Sequence, residues 1–157
     1  MTDLFNRSGD RIGISLSVED KALLVQIPDL LSSVGADEAD PALPVLNRSA
    51  YRDDDTAARE YEQLIESQRV RDRAADVAAL DGLLRGSPSV SMEEAEAVLR
   101  VLNRARLTLA ARAGVFEDGA GWESRISEDP ALAALAWLGY LQSDLLSALM
   151  ESAGPNW

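Results

Sequence analysis

The chain has 157 residues, with 27 acidic and 15 basic side chains, a formal charge of −12 and 46% apolar content. That is one ordinary domain's length, enough to bury about 70% of the surface the unfolded chain exposes. There is no His and no Cys, which excludes disulfides, Ser-His-Asp and Cys-His triads, thiolate chemistry and zinc-finger or iron–sulfur ligation. The bases are fourteen Arg and a single Lys, Lys21, so nearly every cation is a planar fork suited to carboxylates or phosphates. The acidic excess repels nucleic acid and anionic membrane at long range.

Leu4–Arg7 and Arg11–Leu16 flank Ser8-Gly9-Asp10, and Ile12, Ile14 and Leu16 alternate with Gly13 and Ser15. Period two around a turn predicts a short β-hairpin, which must pack on helices or a partner strand. Ser17-Val18-Glu19-Asp20 is a helix start with Ser17 at the cap. The helix carries Ala22, Leu23, Leu24, Ile27, Leu30, Leu31 and Val34 inward to Gly35, and Pro28 kinks it or splits it in two. Asp37 to Pro41 is a polar connector, and Pro41 to Leu46 makes one short turn. No apolar run behind basic residues marks the amino terminus as an export signal.

Asp53-Asp54-Asp55 caps a long helical region that runs to Leu84. Ala58, Tyr61, Leu64, Ile65 and Gln68 form one stripe. Continuing it places Arg71 and Asp72 where apolar residues belong, before Ala75, Ala78 and Leu83 resume. A break near Arg69–Arg73 is expected, the alternative being an ion pair on the seam. Ser91-Met92-Glu93-Glu94 is a capping box. The helix behind it turns Ala95, Val98, Leu99, Leu102, Ala105, Leu109 and Ala113 inward and ends at Gly114. A loop from Phe116 to Ser127 follows. Asp129-Pro130 opens the last helix, in which only Asp144 is charged as far as Met150. Its longest uncharged stretch, Pro130 to Ser143, is fourteen residues, short of the roughly 20 a bilayer crossing needs. Apolar on nearly all sides, this helix is expected at the centre of the bundle or in a subunit interface.

The chain therefore reads as one mostly α domain, a hairpin over residues 1–16 and a bundle of four to five helices over 17–157, with the C-terminal helix central. Gly139 is expected to mark a close helix–helix approach. The pattern names no catalytic residue, no metal-ligand set and no cofactor. Glu93 and Glu96 have the ExxE spacing of magnesium-binding helices without a second acidic pair on a later helix. Ser17 and Lys21 are spaced as a Ser–Lys dyad, but an exposed first-turn Lys keeps its proton. Arg100, Arg104 and Thr108 share a helix face, with Arg106 and Arg112 alongside.

In this order, three segments resemble an actinobacterial domain-of-unknown-function family, number 2017. They are Ser49-Ala50-Tyr51-Arg52-Asp53-Asp54, Leu99-Arg100-Val101-Leu102-Asn103 leading through Arg106-Leu107 to Arg112-Ala113-Gly114-Val115, and Trp137-Leu138-Gly139-Tyr140-Leu141-Gln142. The resemblance implies a cytoplasmic protein often encoded near the protease adaptor ClpS, and no established activity. Within that pattern, Tyr51, Arg52, Asp53, Asn103, Arg106 and Arg112 form a candidate ligand or partner site, a loop tied to one edge of a helix. Trp137, Tyr140 and Leu141 are core or interface. The leading expectation is a non-catalytic regulatory or adaptor-like protein-interaction domain with an unknown protein partner. It would self-associate as a homo-oligomer through the hairpin edge or the last helix, with no membrane role. Two alternatives differ in class: a nucleic-acid-binding regulator using Arg100, Arg104 and Arg112, and a carboxylate–magnesium hydrolase using Glu93 and Glu96.

Overall fold

The turn at Ser8-Gly9-Asp10 places Gly9 at φ +62°, the left-handed region that only a residue without a Cβ enters freely. The strands on either side, β1 (Phe5–Ser8) and β2 (Arg11–Ile14), pair antiparallel with Phe5 opposite Ile14 and Arg7 opposite Ile12. The structure is a computed structural model that describes residues 4–46, 56–115, 122 and 125–151. The helices in chain order are α1 (Val18–Leu24), α2 (Ile27–Ser32), α3 (Ala42–Leu46), α4 (Thr56–Leu84), α5 (Met92–Arg112) and α6 (Pro130–Met150). The mostly α character agrees with the sequence reading.

A third strand, β3 (Ser89–Ser91), completes the sheet in the order β1-β2-β3, with Val90 opposite Ile12. The hairpin thus finds its extra strand within the chain itself. Three residues between a proline and a helix cap carry too little alternation to be read as a strand. Ser91 both ends β3 and caps α5, its hydroxyl accepting from the Glu94 N–H at 3.1 Å. Ser17 caps α1 in the same way, and Asp129 caps α6 with Pro130 in the first turn. Pro28 splits the first helical segment: α1 stops at Leu24 and α2 restarts at Ile27, so the missing proline N–H falls among first-turn donors that have no helical acceptor anyway.

α4 corrects an expectation, because it runs unbroken through Arg69–Arg73. Its packed stripe passes through polar residues: Arg69 and Arg73 are half-buried, then Asp76, Leu80 and Leu83 are buried, while Ala75 and Ala78 are exposed. Asp76 meets Arg100 of α5, so the seam does carry an ion pair, but not at Arg71 and Asp72, which are exposed. Leu64, placed on the inward stripe, is 70% exposed. The side chains of Ala58, Tyr61 and Ile65, and the acidic run Asp53–Asp55, lie outside the described residues.

The central helix is α5, where the all-round apolar character of α6 pointed to α6 itself. α5 packs on α2, α3, α4, α6, β2 and β3, and it buries Ala95, Ala97, Val98, Val101, Leu102, Ala105, Thr108, Ala110 and Ala111. Alanines contribute little to an apolar average, yet their small side chains admit neighbours on several sides. α6 buries one stripe, Leu132, Leu135, Leu138, Leu141, Leu145 and Ala148, against α5 and β1. By length and composition α6 is apolar enough to cross a membrane. Its single charge is spent inside the fold: Asp144 Oδ2 accepts from the Leu4 and Phe5 N–H groups at 3.0 and 2.9 Å. Arg7 caps the other end of the same contact, donating to the carbonyls of Leu149 and Glu151 at the C-terminus of α6. Gly139 is a further correction: a Cβ built there meets nothing within 4 Å, so among the described residues no helix makes a close approach at this point.

Candidate functional site

The arginines of α5 divide into two kinds. Arg100 grips Asp76 with two parallel bonds, Nε to Oδ2 at 3.0 Å and Nη2 to Oδ1 at 2.9 Å, which raises its already high pKa. Arg112 donates through Nη2 to Asp40 Oδ2 at 2.7 Å and to Ser33 Oγ at 2.9 Å. Asp40 also accepts from the Ala42 N–H at 3.0 Å, so one buried carboxylate both starts α3 and anchors the end of α5. The bond from Arg112, with the Ala42 N–H second, holds the Asp40 carboxyl below its usual pKa. Each of these two cations is committed to a carboxylate. Arg100, Arg104 and Arg112 therefore do not make one continuous cationic surface, and the face that Thr108 shares is closed, with Thr108 buried and bonded back to the Arg104 carbonyl at 2.8 Å.

Arg104 and Arg106 are the other kind. Arg104 Nε and Nη1 and Arg106 Nε are buried and find no acceptor among the described residues. Burial pushes the Arg104 pKa down, and the neighbouring positive charge of Arg73 pushes it further. Between the two arginines, Asn103 Oδ1 accepts from Arg106 Nη2 at 3.3 Å and from Gln142 Nε2 at 3.1 Å, linking α5 to α6. Arg106 can only donate, so the oxygen of the Asn103 amide must face it. That leaves the amide NH2 as the remaining donor. On one side of this bridge a cleft of about 330 Å³ opens between α4 and α5, lined by Arg69, Asp72, Arg73, Asp76, Arg100, Asn103 and Arg104. On the other, an apolar recess of about 440 Å³ is lined by Arg106, Ala110, Trp122, Ile126, Leu135 and Gly139.

Of the candidate site residues, the structure brings Asn103 and Arg106 together. Arg112 lies nine positions further on, about 13 Å along the axis, and serves Asp40. Tyr51, Arg52 and Asp53 lie outside the described residues. Leu141 is fully buried and belongs to the core. Trp137 is half-buried with its Nε1 3.3 Å from Asp20 Oδ1, and Tyr140 is 38% exposed. Trp137 walls a third recess, about 430 Å³, together with Leu23, Ile27, Leu30, Leu109 and Leu138. Sequence reasoning assigned Leu23 to the core, whereas it is 43% exposed on the lip of this groove. It also missed Asp40 and Asp76 as buried partners. The signal for Asp76 was its spacing, four and seven residues before Leu80 and Leu83 on one face of α4.

Glu93 and Glu96 are both exposed at the start of α5. Among the described residues no group of three acidic side chains is placed to hold a metal ion. The Ser17 hydroxyl is occupied by its helix cap.

These features define a mostly helical domain organised around α5, with a small antiparallel sheet at one side and recesses flanking a polar Asn103 bridge. The chain belongs to the family described as a domain of unknown function, DUF2017, whose profile matches residues 2–149. Comparison with curated proteins and with solved structures returns no match.

Proposed function

We propose that the chain is a non-catalytic protein-interaction domain, regulatory or adaptor-like, that self-associates through the groove between α1–α2 and α6. The observation that carries this reading is the groove itself. Leu23 and Trp137 wall an apolar recess, and Val25 beside it is 59% exposed. Asp29 is its one charged lining residue among those described, in a chain of charge −12. A second copy of this chain carries the same negative charge, so it approaches best where charge is lowest. A two-fold contact of groove on groove would cover the same apolar side chains on both copies. The hairpin edge is the weaker route, because β3 pairs one side of β2 and Asp144 holds the Leu4 and Phe5 N–H groups.

Sedimentation of the purified chain from micromolar to near-millimolar concentration tests this. The expected result is a reversible dimer that tightens with salt, which screens the repulsion between two acidic copies. Leu23→Asp is expected to give a monomer that keeps the helical circular dichroism of the wild type, whereas Trp137→Glu also strikes the Asp20 contact and the fold. A wild type that stays monomeric over the whole range at high salt refutes the reading. A link to regulated proteolysis, as the family resemblance implies, is tested by pull-down with and without the adaptor ClpS.

A further inference from the structure

We infer that the recess between α5 and α6 beside Arg106 is a binding site for a small apolar monocarboxylate. The Arg106 guanidinium takes the carboxylate and the apolar walls take the rest of the molecule. This recess shares no lining residue with the groove proposed for self-association, so the two readings stand or fall separately.

The walls come from an apolar cluster of their own. Ala110, Leu132 and Leu135 are buried in it, apart from the main core, with half-buried Val115, Trp122 and Ile126 packed against them. They enclose a space of about 440 Å³, within the range of small-molecule sites. Gly139 lines the same space. It lies inside α6, where glycine weakens a helix relative to alanine. Its φ is not positive, and a Cβ there meets nothing within 4 Å. Neither a turn nor a close contact among the described residues therefore calls for glycine. What its missing side chain does is leave the recess open.

Arg106 is the one charged residue among the described residues that line the recess. Arg100 and Arg112 on the same helix are paired with Asp76 and Asp40. The bond from Arg106 Nη2 goes instead to a neutral amide, Asn103 Oδ1, at 3.3 Å, just beyond the usual range for N–H···O. Its Nε is buried without an acceptor and is closed to a ligand, whereas Nη1 is not sealed off in this way. Nη1 and the second Nη2 hydrogen are left for an incoming carboxylate, which a guanidinium fork fits. One cation among apolar walls selects one negative charge. A dianion such as phosphate would bring a second charge into the recess with neither partner nor hydration.

The test is calorimetric titration of the full chain with octanoate, acetate and octylammonium at matched ionic strength. Octanoate carries both features, acetate only the carboxylate, and octylammonium the same chain with the opposite charge. Saturable binding of octanoate is expected, with each of the other two weaker by about tenfold or more, since either the buried chain or a charge-assisted bond is lost. Phenylacetate compares a flat ring with a chain, and the tighter of the two acids names the body that the walls fit. Arg106→Met should weaken octanoate by about tenfold or more and leave octylammonium no weaker, a change of charge selectivity that a merely structural role would not produce. Should that variant fail to fold, Gly139→Leu fills the recess and is expected to abolish octanoate binding while the helical circular dichroism is kept. Leu23→Asp, in the other groove, should leave octanoate binding unchanged. Absence of saturable octanoate binding, equal binding of octylammonium, or undiminished binding by the Arg106 and Gly139 variants overturns the inference. So does tighter binding of a peptide with an apolar C-terminal residue than of either acid, which would make the occupant a chain terminus.

Discussion

Asp144 ties the first strand to the last helix across the whole length of the chain, and its removal is a sharp test of how the fold is closed. Its Oδ2 accepts from two main-chain donors, Leu4 N–H at 3.0 Å and Phe5 N–H at 2.9 Å. A hydrogen bond to a charged group contributes about 1.5–3 kcal/mol net. Phe5 is 3% exposed, so its N–H has no ready substitute in water, while Leu4 and Asp144 are only half-buried. Taking the low end of the range for both bonds, Asp144→Ala should cost about 3 kcal/mol. At a urea dependence of about 2 kcal/mol per molar for a chain of this size, the unfolding midpoint falls by about 1.5 M. Asp144→Asn keeps one neutral acceptor and should lose about half as much. Urea unfolding followed by far-UV circular dichroism measures both, and amide exchange at Phe5 should accelerate in step. A midpoint shift below about 0.3 M for the Ala variant, with Phe5 exchange unchanged, would show that the strand is held by its side chains alone.

Gly139→Ala should stabilise the protein by about 0.5–1 kcal/mol, because helix propensity improves and nothing lies within 4 Å of the added Cβ. The thermal midpoint should rise by about 1–4 °C, and a fall would mean that α6 is crowded there after all. The Asp40 carboxyl is held below its ordinary value of 3.8, chiefly by its bond from Arg112. The sign follows from that depression: the contribution is fully present above the ordinary value and disappears as pH falls through the lower native one. The stability difference between wild type and Asp40→Asn should therefore be constant near neutrality and narrow in acid. A difference that persists unchanged to the lowest pH reached would contradict this assignment.

Local chemistry was legible wherever a residue acts on its own neighbours. Ser17, Ser91 and Asp129 each cap the helix that their sequence contexts mark, Pro28 divides α1 from α2, and Gly9 makes the hairpin turn. These depend on side-chain reach of two to four residues, and the chain order contains all that is needed. The candidate site was legible in part, since Asn103 and Arg106 do meet, three positions apart on one helix. Longer-range pairings were not. Nothing in the polar connector around Asp40 announces that it will be buried against Arg112, seventy-two positions away.

The charge composition stands in the same relation to the structure. Composition determined that catalysis by His or Cys is excluded and that the cations are guanidinium forks. It also determined that the chain as a whole is acidic. Tertiary packing alone decided how those forks are spent. Arg100 and Arg112 are neutralised by aspartates from other segments, while Arg104 is half-buried, with two of its nitrogens finding no acceptor among the described residues. Packing also decided that α5 and not α6 is the centre. Apolar content measures what each residue gains by leaving water, whereas centrality depends on how many neighbours small side chains allow to approach. The first is a property of residues one at a time. The second exists only once the helices are placed against one another.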